Sequence, residues 1–86
     1  MTEKRRYRPP ALVLCEWDDL LRRGCHALRS QGYLPLGFSH PADAEAWLDE
    51  ETPVIAVLDD ARSEATESVI RILHDRGVEL LPVRRP

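Results

Sequence analysis

The sequence predicts an α/β fold: an open parallel sheet of four strands flanked by three helices. Three observations predict it. Short apolar runs alternate with stretches of helical periodicity in the order βαβαβαβ, the arrangement that builds parallel sheets through crossover helices. Two of the runs, "ALVLC" (11–15) and "PVIAVL" (53–58), are continuous and not alternating, as in strands buried on both faces. Glycine and proline punctuate the joints, with Gly32 and Gly77 after helical stretches and Pro41 at the start of one.

Each element follows from local chemistry. Residues 1–10, "MTEKRRYRPP", form a basic arm closed by Pro9-Pro10. "ALVLC" is the first strand. Asp18 or Asp19 is placed to cap a helix over 20–31. Its apolar stripe is Leu21, Gly24, Cys25 and Leu28, with Leu20 and Ala27 beside it. "YLPLGF" (33–38) is the second strand, assigned to an edge because it holds Pro35 and Gly37. Ser39 is placed to cap a helix over 41–50 that turns Ala44, Trp47 and Leu48 inward. "PVIAVL" is the most hydrophobic run and is expected in the centre of the sheet. "DARS" is a loop, and a helix over 64–76 follows, capped by Ser63 or Thr66, with Ala65, Val69, Ile72 and Leu73 as its stripe. "VELLPV" (78–83) is the fourth strand, and residues 84–86 are a short basic tail.

The chain has 86 residues and a formal net charge of −3. That length suits one domain with a core of marginal size, which a partner subunit would help. The charge is unevenly placed. Lys4, Arg5, Arg6, Arg8, Arg84 and Arg85 lie at the ends against the single acid Glu3, while residues 9–83 hold six arginines and fourteen acids. An acidic body is a poor match for a nucleic-acid binder, which needs a basic face on the folded unit. The basic ends read as solvated arms, with contact to phosphate or an acidic protein as the alternative. No apolar run reaches the length of a membrane span, and none of signal-peptide type follows the arm, so a cytoplasmic location is expected. Cys15 and Cys25 match neither a redox pair nor a zinc half-site, and His26, His40 and His74 make no metal spacing. Both thiols read as small hydrophobes in a reducing compartment.

With the elements in place, the chain resembles the receiver domain of two-component response regulators. "LVLCE" matches the first strand, "LRSQGY" the end of the first helix, "ADAEAWL" the second helix and "PVIAVLD" the third strand. The resemblance covers about residues 11–83 and implies a flavodoxin-like sheet in the order 2-1-3-4, lacking the family's fifth strand and last helices. It also implies a phosphoacceptor at Asp59, which ends the third strand, and a divalent cation held near the end of the first. Glu16 falls on one position of the family's acidic pair, and Cys15 or Trp17 on the other. The chain departs from the pattern elsewhere. "DARSEATES" has neither the Pro nor the Gly expected after the phosphoacceptor, Arg84 and Arg85 stand where a hydroxyl residue is expected, and the only lysine is Lys4 in the arm.

Phosphoryl transfer to a carboxylate needs positioning and a hard cation on oxygen ligands. Glu16, Asp59 and Asp60 would supply those oxygens to Mg2+, and no cofactor is required otherwise. The competing reading is that Asp59 and Asp60 solvate a strand end. Trp17, beside this position, is either packed over the first helix or exposed as a contact residue. Without a fifth strand, the fourth becomes an open edge whose Leu80, Leu81 and Val83 need cover, so a homodimer through the fourth strand and third helix is expected. The function expected is non-enzymatic: a degenerate receiver-like module that regulates by contact with a protein partner, a histidine kinase or a regulatory target. The first alternative is a single-domain response regulator phosphorylated on Asp59 with Mg2+. The second is an accessory that binds nucleic acid or an anionic surface through the arm.

Overall fold

The structure, a computed structural model, describes residues 8–58 and 63–82. The elements are β1 (Pro10–Leu14), α1 (Asp18–Ser30), β2 (Leu34–Phe38), α2 (Pro41–Leu48), β3 (Ile55–Leu58), α3 (Glu64–Asp75) and β4 (Glu79–Pro82). All strand pairs are parallel and the order is β2-β1-β3-β4. The order and the three helices agree with the expected α/β class and are consistent with a flavodoxin-like fold. β2 and β4 are the edges, which suits the proline in each, because an edge strand can spare one N–H.

The direction of winding reverses after β2. Crossovers of one hand must then place α1 on one face of the sheet and α2 and α3 on the other. The pleat sorts the side chains accordingly. Leu12, Leu14, Ala56 and Leu58 turn toward α2 and α3, where they pack with Ala44, Leu48, Val69 and Leu73. Ala11, Val13 and Ile55 turn toward α1 and pack with Leu28. β1 lies between two strands and beneath helices on both faces, so Ala11, Leu12 and Val13 are fully buried.

α1 and α3 end alike. The N–H of Gly32 donates to Arg29 and that of Tyr33 to Leu28; the N–H of Gly77 donates to His74 and that of Val78 to Leu73. Both are Schellman turns, with the glycines at φ 96° and 72° in the left-handed region. Tyr33 and Val78 then pack in the same clusters as Leu28 and Leu73, which locks each turn into the core.

The helix starts differ from expectation at two of three places. α1 begins at Asp18 with Trp17 as N-cap, so Asp18 and Asp19 lie in the first turn and not at the cap. There they favour the helix dipole without closing a cap bond. α2 takes His40 as N-cap in place of Ser39, because Pro41 already sets the first helical φ, and the helix ends at Leu48 and not at residue 50. α3 is capped by Ser63, whose Oγ accepts the Thr66 N–H at 3.1 Å. The inward stripe of α3 also corrects the expectation. Thr66 is buried and Ala65 is exposed, because the Ser63 hydroxyl donates to Thr66 Oγ1 at 3.0 Å and satisfies that hydroxyl inside the fold.

One long-range clamp joins the two helices that share a face. Arg76 Nη1 donates to the Leu48 carbonyl at 2.8 Å, to Thr52 Oγ1 at 3.0 Å and to the Glu51 carbonyl at 3.2 Å. The guanidinium thereby satisfies carbonyls that the end of α2 leaves open. Among the described residues, no helix is long and apolar enough to cross a membrane.

Candidate functional site at the carboxyl end of the sheet

In open α/β sheets, ligands gather at the carboxyl ends of the strands near the switch in strand order. Here the switch lies between β1 and β3, whose last residues, Leu14 and Leu58, are partners in the ladder. The chain leaves β1 through Cys15, which is buried at 1% exposure. The Cys15 N–H continues the ladder to the Phe38 carbonyl at 3.0 Å, and its Sγ donates to the Trp17 carbonyl at 3.6 Å. That carbonyl also accepts the Leu21 N–H at 2.8 Å and so opens α1. The backbone at 15–17 is therefore held on both sides, while the Trp17 side chain is 51% exposed.

Glu16, Asp18 and Asp19 are exposed around Trp17. The site is thus an exposed indole with a carboxylate border, set on the first turn of a helix. Of the three residues expected to hold a cation, only Glu16 is described. Asp59, the expected phosphoacceptor, and Asp60 lie outside the described residues, as does Arg84. Among the described residues, no group of three or more His, Cys, Asp or Glu side chains is arranged to hold a metal ion. Of the residues expected at an interface, Trp17 is exposed, Leu80 packs against the larger core, Leu81 is 39% exposed, and Val83 lies outside the described residues. Leu81 pairs with Val57 in the ladder, so it points to the α1 face of the sheet, opposite to Leu80.

Cys25 lies between α1 and β2. Burial raises its thiol pKa above the ordinary 9.0, and Arg29 pulls weakly the other way. A thiol held protonated is a packing group and a poor nucleophile. His26, His40 and His74 are exposed. Trp47 is half-buried, its ring centroid 6.0 Å from that of Phe38 and tilted by 42°.

Two features were not anticipated from the sequence. Arg76 shows no local sign of its role, because its acceptors lie 24 to 28 residues away. The second is a cleft of about 410 Å3 at the opposite end of the sheet, lined by Leu34, Leu36 and Trp47 among others. The alternation of Leu34, Leu36 and Phe38 with Pro35 and Gly37 was the available signal for it. Compared with known proteins, the chain matches no family model, no curated protein and no solved structure.

Proposed function

We propose that this chain is a non-enzymatic, receiver-like signalling module that acts through protein contacts. The observation that carries the reading is Trp17: a large aromatic, 51% exposed, on a rigid backbone at the end of the sheet where α/β domains bind their ligands. Aromatic side chains at interfaces bring a large contact area for little conformational entropy, and they dominate binding hot spots. The carboxylates of Glu16, Asp18 and Asp19 around it suit a partner with an apolar pocket and a basic border. A histidine kinase or a regulatory target is the class of partner that goes with the receiver resemblance. A second copy pairing along β4 and α3 goes with the same reading, since β4 is an edge strand with Leu81 partly open to water. Cys15 and Cys25 are not disulfide-bonded, which suits a reducing, cytoplasmic compartment.

The reading is tested by incubation with acetyl phosphate with and without Mg2+, read by intact mass. The expected result is no added phosphoryl group under either condition, with a dimer mass at micromolar concentration. Labelling that requires Mg2+ and is lost in Asp59→Asn would replace this reading with that of a phosphorylated single-domain regulator. Steeply salt-dependent DNA binding that is lost in an arm-neutralised chain would replace it with the anionic-surface accessory.

A further inference from the structure

The cleft at the amino end of the sheet is separate from the Trp17 site. Leu34, Leu36 and the indole of Trp47 give it an apolar surface, and Arg8, Glu51 and Thr52 border it. Its volume of about 410 Å3 falls within the range of about 300–1,000 Å3 found for clefts that hold ligands. Leu34 is 49% exposed although it lies in a strand, so the apolar surface is open to a partner. Pro35, in the strand that walls the cleft, is buried and carries no N–H. A partner therefore cannot extend the sheet by pairing there and must enter with its side chains. The border is acidic. Asp49, Glu50 and Glu51 are all exposed and follow α2 directly. The last turn of α2 contains no basic residue, and the negative end of the helix dipole adds to the same field. Arg8 is the one cation among the described lining residues, so the border keeps a net negative charge. Arg76 reaches this end of α2, but its Nη1 donates to the Leu48 and Glu51 carbonyls and to the Thr52 hydroxyl. Acids at a helix carboxyl end are unfavourable for the helix, and a cation beside them relieves that cost.

We propose that this cleft docks a basic segment of a partner protein, with an aliphatic side chain of the partner between Leu34, Leu36 and Trp47 and its flanking lysines or arginines along Asp49, Glu50 and Glu51. Charge complementarity selects this occupant. The acids run beyond Glu51, the one that lines the cleft, so they match several cations in series better than a single small organic cation. A second copy is a poor match. Its exposed Trp17 carries a border of Glu16, Asp18 and Asp19, so acids would face acids if that indole entered the cleft. The apolar contact supplies most of the affinity in such an arrangement, and the charged border steers the approach and rejects acidic segments. This second surface goes beyond the Trp17 reading and does not rest on it.

The test is an NMR titration of the isotope-labelled full chain with the capped peptide Arg-Leu-Lys-Arg-Leu and with its acidic counterpart Glu-Leu-Glu-Glu-Leu. The expected result is a saturable shift of the Leu34 and Leu36 amides and of the Trp47 indole N–H with the basic peptide and none with the acidic one. In Glu50→Lys/Glu51→Lys the affinity should fall by at least about tenfold, as expected when charge pairs across an interface are reversed. The Tm of that variant should stay level or rise, because lysines suit a helix carboxyl end, and so lost binding is not lost folding. Leu34→Ser should also weaken binding, with an unchanged circular dichroism spectrum, since half of that side chain already faces water. The absence of a saturable shift, equal affinity in the parent and both variants, or equal binding of the acidic peptide would each overturn the proposal. Shifts confined to the Trp17 indole and residues 16–19 would overturn it as well and leave the Trp17 reading intact. Cleft shifts that grow with protein concentration in the absence of peptide would assign the cleft to a second copy and overturn it too.

Discussion

Gly37 controls how closely α1 can lie on β2, and its replacement by alanine is a sharp test of the packing described above. A Cβ at this position would stand 3.0 Å from Cys25 Sγ and 3.1 Å from Leu21 Cδ1, with Leu21 Cγ at 3.4 Å. Optimal carbon contacts lie at about 3.5–4.0 Å, so the added methyl overlaps two side chains of α1 at once. Overpacking of this kind costs about 1–3 kcal/mol. Against it stands the entropy that glycine loses in a strand, whose relief is worth about 0.5–1 kcal/mol. The expectation is that the steric cost is the larger, because the methyl meets two side chains of the same helix at once. The expected net loss is about 1–2 kcal/mol, or a Tm lower by about 5–15 °C at the 4–8 °C per kcal/mol typical of a domain this size. Urea unfolding followed by circular dichroism, with an unchanged m value, gives the free energy. Cys25→Ala removes the nearest atom, so the double variant should recover part of the loss, with a coupling of about 1 kcal/mol. A Gly37→Ala protein as stable as the parent would refute this account. So would two substitutions whose effects add to within about 0.5 kcal/mol.

Three further predictions follow from single contacts. Ser63→Ala removes the cap of α3 and leaves the Thr66 N–H and hydroxyl short of a partner, so stability should fall by about 1–2 kcal/mol in urea unfolding. Arg76→Ala should cost about 1–2 kcal/mol. The guanidinium nitrogen has two hydrogens for three acceptors, and two of the bonds are open to water, so the loss is less than three full bonds; thermal unfolding measures it. The third concerns pH. The Cys25 thiol has its folded pKa raised above the ordinary 9.0 by burial. The unfolded chain therefore releases this proton first as pH rises, and the stabilising contribution is complete below the unfolded pKa and is lost as pH climbs through the folded value. The urea midpoint should decline more steeply above pH 9.0 in the parent than in Cys25→Ala, and parallel profiles would count against the burial described here.

The carboxyl and amino ends of the sheet differ in how far the sequence reveals them. At the carboxyl end, the sequence itself marks Glu16, Trp17 and Asp59, because they follow directly on the apolar runs read as the first and third strands. Exposure was the open question for Trp17, and no local pattern answers it: an N-cap residue can fold its side chain over the helix or away from it. The structure turns it outward, since the segment 15–17 is held by the Cys15 and Leu21 bonds to the Phe38 and Trp17 carbonyls. At the amino end, nothing in the sequence pairs Leu34 and Leu36 with Trp47, because the cleft forms only when β2 takes its place at the edge beside β1.

The sequence alone determined the alternation of strands and helices, the edge position of the proline-bearing β2, the interior position of β3, and the stops of α1 and α3 at Gly32 and Gly77. Each of these depends on interactions within a few residues: the period of apolar side chains, the missing N–H of proline, the left-handed backbone open to glycine. Tertiary structure decided what depends on distant partners. It buried Thr66 in place of Ala65, gave Arg76 its acceptors beyond the end of α2, and made Gly37 a seat for Leu21 and Cys25. The two kinds of information separate because a helix or strand needs only its own backbone geometry to be recognised. Which side of it faces a neighbour, and which polar atom that neighbour must satisfy, is settled only when the sheet brings the neighbours together.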